Sequence, residues 1–329
     1  LLLPKGVEYA AAGAAFSTVV GGTAGFLIIF FIYLRQRDDI FREIRKDAEA
    51  PRESFASIAY RLFAFAVPIT LGGLIIPVMN LADAAIVNRR LQEAGFAMER
   101  ATQLYGQLTG MAGPLINLPP IITIALSASL VPAISEAVAL GNSRLVSSRA
   151  TTGVRITLMF GFPAAAGLYL LATPICSMLY HNPEAGVPLS VLAFGVIFLT
   201  LNQTTSGILQ GIGKTMIPVK NLLYGALVKI ALNYTLTGIP QINIRGAALG
   251  SVAGYMVSSL LNLWAVHRHT GIRAGINSLL IKPLAATLAM GFGVVFIYLQ
   301  AAGAGMGNTR ATLGAVAVGS VLYAVVLLL

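Results

Sequence analysis

An all-α, polytopic membrane fold is the expectation for this chain, and three observations carry it. Of 329 residues, 57% are hydrophobic and only 10% charged, against about 25% charged in an ordinary soluble domain, and the mean hydropathy is +0.80. Apolar stretches long enough to span a bilayer recur along the whole chain. None shows the apolar–polar alternation over about ten residues that a transmembrane β-barrel requires.

In order, the predicted spans cover about 10–33, 62–87, 108–135, 151–180, 187–210, 219–237, 246–266, 278–299 and 312–329, roughly nine helices at about 20 residues per crossing. The polar stretch from Arg35 to Phe55 mixes both charge signs with Ile40, Phe41 and Ile44. It reads as an amphipathic helix on the cytoplasmic membrane surface that links two helical bundles. A second polar stretch, 89–107, predicts a short helix outside the bilayer. The chain has no initiator Met and stops within an apolar run at Val326-Leu327-Leu328-Leu329, which reads as a fragment of a longer protein.

Following the loops through alternate sides puts twelve Arg and Lys, from Arg35 to Arg273, on one set. The other set holds six: Lys5, Arg89, Arg90, Arg100, Arg245 and Arg310. The positive-inside rule makes the first set cytoplasmic. The net charge of +10 therefore points to anionic membrane lipids rather than nucleic acid, because the basic residues lie between spans.

Several chemistries are excluded. The single cysteine, Cys176, permits neither an intrachain disulfide framework nor a multi-cysteine metal site. His181, His267 and His269 fall at span ends and read as solvated edges, so no metal or cofactor is assigned. Gly211-Ile212-Gly213-Lys214-Thr215 evokes a phosphate loop, but the required glycine is replaced by Ile208 and no strand precedes it. No pair of carboxylates is placed for acid–base work, so transport outranks catalysis.

Prolines interrupt two neighbouring spans: Pro68 and Pro77 in one, Pro114, Pro119, Pro120 and Pro132 in the next. Each removes a backbone hydrogen bond and kinks its helix. Pro68, Pro77, Pro114, Pro119 and Pro120 are hinge candidates, with static kinked packing as the alternative. Small residues such as Gly246-Ala247-Ala248 and Gly250 permit close helix approach.

Polar residues within spans carry the remaining chemistry. Lys229 lies roughly nine residues, about 14 Å of helix, beyond the basic edge at Lys220, and an ammonium at bilayer depth marks a functional site by default. Asn233, four residues on, shares its face. Two readings stand for Lys229: a contact in a wet cavity, or a structural ion pair. Asn117 beside the Pro119-Pro120 break, and Asn202 and Gln203 within another span, are further cavity candidates, with interhelical hydrogen bonding as the alternative. Arg61 and Arg155 lie about a turn inside the cytoplasmic edge, where they meet a headgroup or snorkel to lipid. Asp83, near the outer end of its span, is a possible ion-coupling carboxylate, or is solvated beside Arg89 and Arg90.

Runs along the chain carry a family resemblance. Phe65-Ala66-Val67-Pro68-Ile69-Thr70-Leu71-Gly72-Gly73, Ser129-Leu130-Val131-Pro132-Ala133-Ile134-Ser135-Glu136 and Lys229-Ile230-Ala231-Leu232-Asn233-Tyr234 resemble the stage V sporulation protein B group of polysaccharide exporters. That group is related to lipid II flippases and belongs to the multidrug/oligosaccharidyl-lipid/polysaccharide exporter superfamily. The resemblance implies about fourteen helices in two six-helix lobes plus a final pair. On that scheme residues 1–34 are the last helix of the first lobe, 35–53 the cytoplasmic linker, 54–273 the second lobe and 274–329 the additional pair. It implies a multi-pass protein of the bacterial cytoplasmic membrane that moves an undecaprenyl-pyrophosphate-linked saccharide by alternating access, with envelope-synthesis enzymes as further partners. Two alternatives stay open: a cation-coupled drug exporter using Asp83, and a non-transporting scaffold for envelope synthesis. A membrane glycosyltransferase is disfavoured: it predicts a carboxylate-bearing catalytic loop outside the bilayer, for which Glu93 and Glu99, or Glu184, are the candidates.

Overall fold

The computed structural model describes residues 7–46, 54–272 and 281–328. Thirteen α-helices form there, and no strand is present among the described residues. They are α1 (Val7–Lys46), α2 (Phe55–Glu93), α3 (Met98–Gly106), α4 (Gly113–Ile116), α5 (Pro120–Ala139), α6 (Ser143–Leu170), α7 (Ala172–Tyr180), α8 (Gly186–Ala193), α9 (Gly195–Gly211), α10 (Met216–Thr237), α11 (Ile244–Thr270), α12 (Lys282–Gly303) and α13 (Asn308–Leu328). The chain divides into two compact units, Leu1–Arg61 and Leu62–Leu329, with the boundary inside α2.

Seven helices among the described residues are long and apolar enough to cross a membrane, or eight if the bent pair α8–α9 is one span. The sequence count of nine differs chiefly at α10, which is 22 residues long but dilutes its apolar character with Lys220, Asn221, Lys229 and Asn233. The first predicted helix also runs further than expected. Polar residues from Arg35 onward do not end it, and α1 continues to Lys46, because Arg, Gln, Glu and Lys are good helix formers. Residues 47–53, the rest of the expected linker, lie outside the described residues, as do 273–280, where the final pair was expected to begin.

Breaks within spans have local causes. The region expected as one span over 108–135 splits at Asn117–Pro119, and Pro120 starts α5 in the first turn, where a missing N–H costs nothing. The span expected over 151–180 is two helices: α6 starts earlier, with the Asn142 side chain accepting from Leu145 N at 3.0 Å, and ends at Leu170. A 49° bend separates α8 from α9, which the apolar sequence did not announce. The polar stretch before Gln107 does form the short helix α3.

In the second unit, one core cluster gathers Val87, Leu91, Leu104, Leu115, Leu189 and Ile244 around α2, α3, α8 and α11. A second joins Leu130, Ile134, Leu158, Ile208 and Val266 across α5, α6, α9 and α11. The pair α12–α13 packs on α6 and α7 through Leu171, Met290, Val294 and Ala315. Between helices in lipid, association rests on close van der Waals packing and interhelical hydrogen bonds rather than on hydrophobic burial. Gly225 on α10 and Gly254 on α11 supply that closeness: a Cβ on Gly254 would lie 2.8 Å from the Gly225 carbonyl oxygen.

Candidate functional site

The buried face of α2 is a row at helical spacing: Met79, Asp83, Val87 and Leu91. Three members are apolar and the fourth is a carboxylate. On α10 a matching row runs Asn221, Gly225, Lys229, Asn233, Thr237, each four residues from the last and each buried. Where the rows meet, Lys229 Nζ lies 2.5 Å from Asp83 Oδ2, and Asn233 Nδ2 donates to Asp83 Oδ1 at 2.8 Å. Both carboxylate oxygens are thus engaged by one helix. Lys229 is 5% exposed and Asp83 8%, so the pair is withdrawn from solvent and each charge depends on the other.

The facing helix α11 makes room for this cluster. A Cβ at Gly250 would collide with Asn233 Oδ1 and come 3.1 Å from the Lys229 carbonyl oxygen, and one at Gly254 would lie 2.9 Å from Lys229 Cβ. Farther along α2, Arg90 Nε donates to the Tyr234 carbonyl oxygen at 2.8 Å. Its guanidinium carbon stacks 4.5 Å from the centroid of the same ring, and it pairs with Glu93. Residues 83 and 90, two turns apart on one face, therefore fix the second half of α2 along the end of α10. In α3, burial first and then the Asp83 charge push the Tyr105 phenol up. Two buried atoms here, Asn233 Oδ1 and Thr237 Oγ1, have no hydrogen-bond partner.

A second, neutral polar cluster lies elsewhere on the same helices. Asn202 Oδ1 on α9 accepts from Ser258 Oγ at 2.9 Å and from Asn262 Nδ2 at 2.8 Å, both on α11. Asn262 Nδ2 also donates to Ser206 Oγ at 3.2 Å, and Asn262 Oδ1 accepts from Asn221 Nδ2 of α10 at 2.8 Å. Asn262 and Ser258 are fully buried.

The structure thus brings Asp83, Lys229 and Asn233 into one cluster and places Asn202 in another. Gln203 is half-buried, and its backbone carbonyl accepts from Ser127 Oγ at 3.2 Å. Asn117 is exposed, with Nδ2 donating to the Gly113 carbonyl oxygen at 2.9 Å, a local cap at the α4 end. Arg155 is exposed on α6. Arg61 is also exposed and belongs to the first unit. Pro77 lies within the unbroken α2, as does the backbone of Pro68, whereas Pro114 is in the first turn of α4 and Pro119 and Pro120 sit at the α4–α5 break. Among the described residues no cluster of His, Cys, Asp and Glu is arranged to hold a metal ion.

Asn221, Ser258 and Asn262 escaped the sequence reading, although stepping back from Lys229 by fours along α10 reaches Asn221. The other two lie on α11 without a charge to mark them. The sequence reading treated Asp83 and Lys229 as separate, 146 residues apart in the chain. Only the folded arrangement pairs them.

The chain as a whole is similar to known proteins. The family model described as lipid II flippase MurJ matches residues 2–326. Stage V sporulation protein B of Bacillus subtilis is 31% identical over 88% of this chain and 54% of its own length. Lipid II flippase MurJ of the same organism is 26% identical over 81% of this chain and 49% of its own. The chain thus spans about half the length of the curated relatives it matches. A solved structure of lipid II flippase MurJ in an inward closed conformation superposes with a TM-score of 0.63 at 17% identity, covering 87% of this chain and 57% of that one.

Proposed function

The chain belongs to the lipid II flippase MurJ family, and from that premise we propose that it forms part of a flippase carrying an undecaprenyl-pyrophosphate-type lipid-linked saccharide across the membrane by alternating access. It is a multi-pass protein of the bacterial cytoplasmic membrane. The observation that carries the reading in the structure is the Asp83–Lys229–Asn233 cluster. A scaffold has no need of a buried ion pair between two membrane-length helices, whereas a transporter needs helices that move as defined bodies.

The cluster supports a specific division of labour. From Asp83 to Arg90, α2 is tied to α10 by charge, hydrogen bond and ring stacking. Pro68 and Pro77 lie before that tie, and the α4–α5 break at Pro119-Pro120 lies between α4, which contacts α8, and α5, which contacts α6 and α9. We propose that these prolines bend while the tied segment moves with α10. The proposed moving lobe is the second lobe expected at 54–273, with α12 and α13 packed on its α6 and α7. Lys229 is held by Asp83 in this state, so contact with a pyrophosphate head requires exchanging one anion for another. Arg155, Asn117 and Gln203 are proposed to meet the head along the path, and Arg61, on the first unit, is proposed separately as a headgroup contact. Two apolar grooves beside α12, of about 490 and 730 Å3, suit a cargo with a hydrocarbon tail.

Cation coupling through Asp83 is the weaker reading, because the Lys229 ammonium already occupies the position a coupling cation would take. Reconstituting the full-length protein in vesicles with fluorescent undecaprenyl-pyrophosphate-linked saccharides tests the proposal. Translocation above protein-free vesicles is expected, and none under either a sodium or a proton gradient would remove the reading. Lys229→Gln at the wild-type rate would remove the cluster from the mechanism.

A further inference from the structure

Where the start of the π-helical turn Gln107–Ala112 meets α3, the short 3-10 helix Pro183–Ala185 and the α10–α11 turn, a pocket of about 310 Å3 opens. The loop charge bias assigns this end to the outside. Phe96, Arg100, Gln107, Glu184, Gln241 and Arg245 line it. We propose that this pocket is a carbohydrate subsite that takes one hydroxyl-rich ring of the cargo's sugar. The proposal rests on the reading of the cargo as a lipid-linked saccharide and adds a site outside the buried cluster.

Three observations converge on the pocket. Gln107 is 1% exposed; its Nε2 donates to Glu184 Oε2 at 2.9 Å, and its Oε1 has no partner. It opens a π-helical turn, a geometry that recurs at functional sites because it re-aims side chains relative to the α register. At the rim, Asn243 has φ of +44°, a strained backbone for any residue but glycine. Its Oδ1 accepts from Ile244 N at 2.6 Å, which starts α11 there and sets Gln241 and Arg245 at the mouth.

Charge decides the ligand class. Glu184 engages Arg100 through both carboxylate oxygens, and Arg100 also donates to Gln103 Oε1 at 2.7 Å. One arginine is therefore neutralised, leaving Arg245 as the surplus cation of the lining. An anion site would present converging unpaired cations; this one presents amides, a paired carboxylate and an aromatic face, the set that meets a sugar ring's hydroxyls and its apolar side. The Gln107 amide oxygen is covered in this state. A ring hydroxyl reaches it by rotation of the amide, which exchanges the bond to Glu184 for bonds to the sugar.

Saturation-transfer NMR on the full-length protein in detergent, with free glucose and free N-acetylglucosamine as probes, tests the subsite. Ring-proton transfer is expected from at least one probe. It should weaken about tenfold in Gln107→Leu, the loss of roughly one buried hydrogen bond. Gln241→Ala, in the exposed α10–α11 turn, and Phe96→Leu, which keeps an apolar side chain against the core, should weaken it as well, which keeps the test decisive where Gln107→Leu does not fold. Absence of transfer to wild type, transfer unchanged in both rim variants, or displacement of sugar by equimolar inorganic pyrophosphate would each overturn the proposal. Flipping is measured separately on the same preparation. A protein that flips lipid-linked saccharide without binding sugar here loses the subsite and keeps the transport reading. One that binds sugar through Gln107 but flips nothing keeps the pocket and loses the transport reading.

Discussion

The two polar clusters on α10 are built on one row of residues and solve opposite problems. Toward one end, Asn221 joins Asn262, Asn202 and Ser258 in a network of neutral groups. Toward the other, Lys229 and Asn233 hold a carboxylate on a different helix. A neutral amide without its partner is an inconvenience in lipid, where interhelical hydrogen bonds average about 0.6 kcal/mol. A buried charge without its partner is far more costly. The neutral cluster therefore joins α9, α10 and α11 into one stack with modest, distributed energy. The charged cluster makes the contact between α2 and α10 close to all-or-none.

Four single substitutions, two of them paired with a second change, sharpen that contrast. Lys229→Met leaves Asp83 buried and unpaired, and a loss of about 3–5 kcal/mol is expected; thermal unfolding in detergent measures it. Adding Asp83→Leu should recover most of the loss, and a single variant as stable as wild type would break the comparison at its strongest point. Gly250→Ala drives a methyl group against Asn233 Oδ1, an overpacking that costs about 1–3 kcal/mol. Its loss should shrink when combined with Asn233→Ala, because the methyl then has space. Asn262→Ala removes bonds to Asn202, Ser206 and Asn221, yet should cost only about 1–2 kcal/mol at the averages for such bonds. A cost matching Lys229→Met would erase the distinction between the clusters. Arg90→Lys keeps the charge but gives up the planar stacking on Tyr234, with an expected loss of about 0.5–1 kcal/mol, measured in the same melts.

The residues differ in how visible they are from sequence for the same physical reason. Lys229 is conspicuous because a charge at bilayer depth violates the solvent preference of its surroundings, and Asn233 follows from helical spacing. Asp83, close to Arg89 and Arg90, reads equally well as solvated. Asn262 and Ser258 are ordinary polar residues on a long helix, and nothing in α11 itself says which face they take. Gln107 is the least legible: it stands at the edge of a polar stretch, and the partner of its amide, Glu184, lies 77 residues away in the chain.

Helix breaks follow the same division. Pro119-Pro120 forces a boundary because proline lacks the N–H and clashes with the preceding turn, and α5 begins there. The 49° bend at Phe194 has no proline at the break; Gly195 stands there, and a Cβ on it would lie 3.3 Å from Val252 Cγ2 of α11. The 40-residue run of α1 reflects local propensity carrying the helix past the end of its apolar segment.

Composition, hydropathy and charge bias by themselves determined a helical, multi-pass membrane protein, most of its spans and the residues expensive enough to need a partner, because burial in lipid penalises each polar group one at a time. The identity of those partners was a tertiary decision. Whether Lys229 faces an open path or a carboxylate depends on the rotation of α2 and α10 about their axes. Glycines on a third helix, α11, leave the space that lets the two rows meet.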